Sequence, residues 1–193
     1  DLSYKLHQNR KEASPKLCDQ MEEIISKMGM KNARFKIDLV PSDEFLEKGK
    51  EKINLLFSAN LGSDFKSIKK VASGGEMSRI MLSIKAILSQ FKQLPSIVFD
   101  EIDTGVSGAV SSEIANIMVD MSNHMQVFTI THLPLVAAKG KQHFLVYKEV
   151  GENTTITRLK KLNQEERVTE LAQMLSGDQL TRAALDHAKQ LLN

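Results

Sequence analysis

The stretch SIVFDEID, Ser96 to Asp103, carries three unalternating apolar residues, Ile97, Val98 and Phe99, straight into the paired carboxylates Asp100 and Glu101. A short apolar run without polar alternation is expected of a strand buried on both faces of a parallel sheet. Val127-Phe128-Thr129-Ile130 has the same character and leads into Thr131-His132. Between the two, Ile114, Ile117, Met118 and Met121 recur at helical spacing, so the segment reads strand, helix, strand. Open α/β sheets place ligands beyond the carboxyl ends of their strands. Asp100, Glu101 and His132 should therefore share one edge.

Upstream, Ser73-Gly74-Gly75-Glu76 precedes a helical stripe of Met77, Ile80, Met81, Ile84, Ile87, Leu88 and Phe91. Phe35, Ile37 and Leu39 alternate with polar residues, as do Ile53, Leu55 and Phe57, predicting two half-buried strands around a Pro41 to Gly49 connection. From Leu2 to Met28, apolar residues recur at three-, four- or seven-residue steps, interrupted by Ser14-Pro15. Proline is tolerated at the first helical position, which predicts a short entering helix, a break, and a new helix capped by Ser14 that ends at Gly29. Either a surface helix or the root of a coiled-coil arm fits that pattern. Beyond His132, two strands around Gly151-Glu152-Asn153 form a hairpin, and two helices close the chain. The first of these has Asn163 and Glu166 in capping-box positions and Gly177 just past its end.

Each motif suits a particular task. Ser73-Gly74-Gly75 before a helix presents backbone N–H groups and the positive end of the helix dipole to an anion, with no side chain in the way. Alone, such a turn is more often merely a capped helix start, and its weight comes from Asp100 and Glu101. Asp100 is suited to holding Mg²⁺ through water, and Glu101 to orienting or deprotonating an attacking water. His132 could hydrogen-bond a terminal phosphate or that water. A phosphate loop, GxxxxGK[ST], is absent from the 193 residues, so the chain reads as half of an ATP site.

Composition narrows the class. Hydrophobic residues at 41% and charged ones at 26% are ordinary globular usage, and there is no long uncharged apolar run, so no membrane partner is expected. A net charge of +2 is too small to argue for nucleic acid by itself. Lys66, Lys69 and Lys70, and Lys139 and Lys141, read better as solvated faces than as phosphate contacts. The one cysteine, Cys18, fits a packed thiol in a reducing interior. The chain opens on Asp1 rather than Met, and is read as a piece of a longer, cytoplasmic polypeptide.

VASGGEMSRIMLSIKAIL, SIVFDEIDTGVSG and VFTITHLPLVAAKG, in that order, resemble the C-terminal half of the ATP-binding-cassette heads of SMC-like chromosome proteins, most closely a bacterial DNA-repair branch. The resemblance implies an α/β ATPase-head lobe: a mainly parallel sheet flanked by helices, plus a C-terminal β-hairpin and helices. Residues 1–28 would be the coiled-coil base and 29–193 the lobe. It further implies that Ser73, Gly74, Gly75 and Glu76 form the signature, Asp100 is the Walker B aspartate, Glu101 the catalytic glutamate, Asp103 to Gly108 with Asp103 and Ser107 the D-loop, and His132 the switch histidine. ATP and Mg²⁺ would be the ligands. The partners would be an N-terminal half carrying the phosphate loop, a second head across two ATPs, and DNA. Double-strand-break repair and recombination at the nucleoid would be the function, with this chain inactive alone. Two competing readings use the same motifs: a transporter's nucleotide-binding domain, disfavoured by Glu76 where glutamine is usual, and an ATP-independent interaction module.

Overall fold

The computed structural model describes residues 1–68, 73–91, 94–102, 105–151, 154–177 and 179–193. Helix α1 (Leu2–Lys27) runs unbroken through Pro15, so the predicted break is not there. Proline removes one backbone bond and crowds the preceding turn. Anchors on both sides of it hold the helix straight. On the C-terminal side Cys18, Met21 and Ile25 are buried in the core. On the N-terminal side, the buried Glu51 carboxylate accepts from Arg10 Nη1 at 2.9 Å and pairs with His7 Nδ1 at 2.6 Å. Ser14 Oγ, rather than capping a new helix, donates to Arg10 O at 2.6 Å.

Strands β1 (Arg34–Leu46) and β2 (Gly49–Ser58) pair antiparallel, from Arg34 opposite Ser58 to Pro41 opposite Glu51. The register then shifts before Leu46 meets Gly49. The strand therefore continues through Pro41, where a loop was expected, because β1 is the sheet edge and its proline needs no ladder partner on that side. A short β3 (Lys66–Ser67) pairs with β2. Helix α2 (Gly74–Phe91) follows, then β4 (Ser96–Asp100), α3 (Gly108–Met121) and β5 (Gln126–Ile130). The β4 and β5 strands are parallel, Ser96 opposite Gln126 through Asp100 opposite Ile130. Parallel pairing is confined to this pair among the described strands.

Strand alternation gives β4–β5 two unlike faces. One turns Phe99 into the core, with Ile97 and Val127 packed against it. The other leaves Val98 63%, Phe128 46% and Ile130 56% exposed. The expectation of burial on both faces is thus corrected: the apolar composition is right, but within this chain one face stays open.

The main core gathers Met21 and Ile25 of α1, Phe35 and Phe57 of the hairpin with ring centroids 5.3 Å apart, Ile80, Leu82 and Ile87 of α2, and Ile114, Met118 and Met121 of α3. Helix α4 (Pro134–Lys139) connects it to a second cluster, placing Val136 in the first and Ala138 in the second. Strands β6 (Phe144–Val150) and β7 (Thr155–Lys161) form the predicted hairpin, although Glu152 and Asn153 lie outside the described residues. Helices α5 (Gln164–Ser176) and α6 (Arg182–Leu192) supply Leu171, Ala172, Ala184 and Ala188 to the second cluster. The capping box at the start of α5 is formed as expected: Glu166 N donates to Asn163 Oδ1 at 2.9 Å, and Asn163 N to Glu166 Oε2 at 3.0 Å.

Candidate functional site

Parallel pairing brings three of the expected residues to one edge. Asp100 ends β4 on the open face, level with Ile130. Glu101 N donates to Ile130 O at 3.0 Å, which ties the next residue across to β5. His132 lies two residues beyond Ile130 and is exposed, as are Asp100 and Glu101. The intervening Thr131 shapes the turn, its Oγ1 accepting from Leu133 N at 2.9 Å. The sequence reading places His132 on a turn begun by Thr131, and this bond is the one that forms it.

Glu101 has φ 44°, a left-handed conformation that side chains other than glycine's rarely adopt. Its direction relative to Asp100 is therefore set by a backbone reversal rather than by the strand alternation anticipated from the sequence. Such conformations cost about 1–3 kcal/mol and persist where surrounding structure enforces them, often at functional sites.

The second constellation is the start of α2. Ser73 Oγ accepts from Glu76 N at 3.3 Å, and Ser73 N donates to Glu76 Oε2 at 2.8 Å, a reciprocal capping box. Met77 N is taken by Ser73 O at 2.8 Å. Glu76 thus secures the helix start through its side chain. Gly74 faces open space, since a Cβ added there would meet nothing within 4 Å. The hydrogen bonds of Ser73 and Glu76 stay within the turn.

Ser107 N-caps α3 through its carbonyl, which accepts from Ser111 N at 2.9 Å, while its side chain makes no capping bond. Asp103 and Thr104 lie outside the described residues, as do Lys69 and Lys70. Lys66, Lys139 and Lys141 are exposed. Cys18 is buried, and burial raises its thiol pKa. Among the described residues no group of three or more His, Cys, Asp or Glu side chains could hold a metal ion, and no helix is long and apolar enough to cross a membrane.

No family model matches the chain. Among curated proteins, the DNA repair protein RecN of Bacillus subtilis is 38% identical over 200 residues, covering 96% of this chain and 35% of that protein. RecN of Rickettsia typhi is 38% identical over 192 residues, covering 100% and 35%. RecN of Haemophilus influenzae is 34% identical over 186 residues, covering 96% and 33%. The chain is RecN-like. It spans about a third of the length of the RecN proteins it matches.

Solved structures give the fold. An SMC ATPase from work on ATP-driven dimerisation and DNA-stimulated activation aligns with a TM-score of 0.54 at 19% identity, covering 84% of this chain and 93% of that one. The Smc head domain of Pyrococcus yayanosii, solved with a coiled coil and joint, aligns with a TM-score of 0.62 at 19% identity, covering 83% of this chain and 29% of that one. The RecN-like segment has the α/β fold of an SMC ATPase head.

Proposed function

We propose that this RecN-like segment is the C-terminal lobe of an SMC-type ATPase head whose complete protein hydrolyses ATP in DNA double-strand-break repair, acting at the nucleoid. The observation that carries the reading is the edge where parallel β4–β5 pairing collects Asp100, the left-handed Glu101 and His132. Asp100 suits Mg²⁺ because an exposed carboxylate at a strand end matches an ion that keeps most of its waters and otherwise binds phosphate oxygens. When bound, that ion would neutralise charge on the nucleotide phosphates. Glu101 would orient the attacking water and accept its proton as the water oxygen bonds the γ-phosphorus and the β–γ bridge leaves with ADP. His132 would hydrogen-bond the γ-phosphate.

The start of α2 is open to the outside and its capping bonds are closed on themselves, which supports a role toward a nucleotide held by a second head. The Ser73 hydroxyl and the backbone N–H groups of Gly74 and Gly75 would be offered to its γ-phosphate, and Asp103 and Ser107 would serve as D-loop residues. ATP would join two heads and hydrolysis would part them, gating a dimer around DNA. The open apolar face of β4–β5 suits the N-terminal half of the same head, which would bring the phosphate loop. This chain alone would then turn over almost no ATP.

The test is Glu101→Gln in the full-length protein. ATP binding should survive, turnover should fall by about 10²–10⁴-fold as for loss of a general base, and head dimers should accumulate on sizing in ATP. Unchanged turnover would remove Glu101 from the mechanism. Robust hydrolysis by the present segment alone would show the site to be elsewhere.

A further inference from the structure

Helix α4, six residues long, starts two residues after His132 and is too short to hold itself. Its N-terminus has no side-chain cap; Pro134 and the Thr131 turn merely set its direction. Its C-terminal end is gripped. Arg167 Nη2 donates to Ala138 O at 3.2 Å and to Gly140 O at 2.7 Å, placing a cation on the negative end of the helix. Arg167 itself is fixed because it sits in the first turn of α5, directly after the capping box, with its own N–H on Asn163 O at 2.9 Å. Ala138 packs into the same cluster as Leu171, Ala172, Ala184 and Ala188 of the two closing helices. Arg167 Nε and the Nδ1 of neighbouring His143 are buried without hydrogen-bond partners. The guanidinium thus gives Nη2 to the carbonyls of Ala138 and Gly140 while its buried Nε goes unpaired.

We infer that Arg167 is a positioning residue for His132: by holding the far end of α4 against α5 and α6, it fixes the turn that carries the histidine. The closing helices thereby control the geometry of the histidine as well as covering a small core. This rests on the reading of His132 as a γ-phosphate contact. Because one ångström of misplacement can cost about a hundredfold in rate, a loosened α4 lowers the rate of chemistry without removing any group that touches ATP.

The experiment uses the full-length protein with Arg167→Gln, Arg167→Lys and His132→Gln, alone and combined. Arg167→Gln is expected to lower kcat by about ten- to a hundredfold while KM for ATP stays within about twofold, and Arg167→Lys to recover most of the loss. In the His132→Gln background, Arg167→Gln should lower kcat no further. An equal loss with and without the imidazole overturns the inference and leaves the histidine reading standing. Full turnover by His132→Gln overturns both. Should Arg167→Gln fail to fold, labelled-imidazole NMR of Arg167→Met, which keeps the apolar stem but cannot donate to Ala138 O or Gly140 O, decides: a shifted His132 ring signal there, with Arg167→Lys close to the unsubstituted protein, upholds the coupling, and an unmoved one in Arg167→Met refutes it.

Discussion

Val98→Glu is the sharpest test of the open face. Val98, Phe128 and Ile130 lie on one side of β4–β5 with 63%, 46% and 56% of their surfaces exposed. Complete burial of such side chains is worth about 1.5–3 kcal/mol each, so covering what remains exposed would contribute about 2.5–5 kcal/mol to docking of a second lobe. A carboxylate at position 98 removes the valine's share and adds the desolvation of a charge, which is costly without a partner. The expected loss in the complete head is at least about 3 kcal/mol, or about a hundredfold in association between separately expressed halves. In this segment alone the same side chain stays in water, and the change should remain within about 1 kcal/mol, the span of strand preferences. Denaturant unfolding of both species, with titration of the halves against one another, measures each number. A loss of equal size in both species, or an unchanged affinity between the halves, would refute the argument that this face is covered.

Three further positions carry expected outcomes. At Glu101 the left-handed backbone should make Glu101→Gly more stable than Glu101→Ala by about 1 kcal/mol, the reverse of the usual order, and denaturant titration of the two variants would expose an error if alanine proved the more stable. Ser73→Ala opens the capping box and should cost about 1 kcal/mol of stability; Ser73→Arg in the full-length protein should cut turnover while sparing ATP binding, and a large loss of ATP affinity would argue against a role toward a second head's nucleotide. Burial, and then the Arg167 charge, lower the His143 pKa below its ordinary 6.5, so the unfolded chain takes up the proton first and stability should fall as pH drops through 6.5, levelling off below the folded-state value. His143→Phe should flatten that slope, and an unchanged slope would assign it to other groups.

Local signals were legible wherever a few neighbouring residues decide the outcome. The helix start at Ser73 to Glu76, the capping box of Asn163 and Glu166, and the β6–β7 hairpin follow from short-range bonds that the residue types themselves specify. Pro15 misled because local propensity favours a break there, while Glu51, far along the chain, pins the helix on one side and the core holds it on the other. The unalternating runs of β4 and β5 announced two apolar faces but could not say whether this chain covers both.

Sequence by itself determined the parallel strand–helix–strand unit, the residues gathered at its edge and the resemblance to an ATPase head, because side-chain type and spacing are written along the chain. Tertiary structure alone decided that Glu101 takes a left-handed backbone, that one face of β4–β5 remains open, and that Arg167 grips the helix following His132. Those features depend on groups distant in sequence meeting in space, and residue order fixes that meeting only through the packing of the whole.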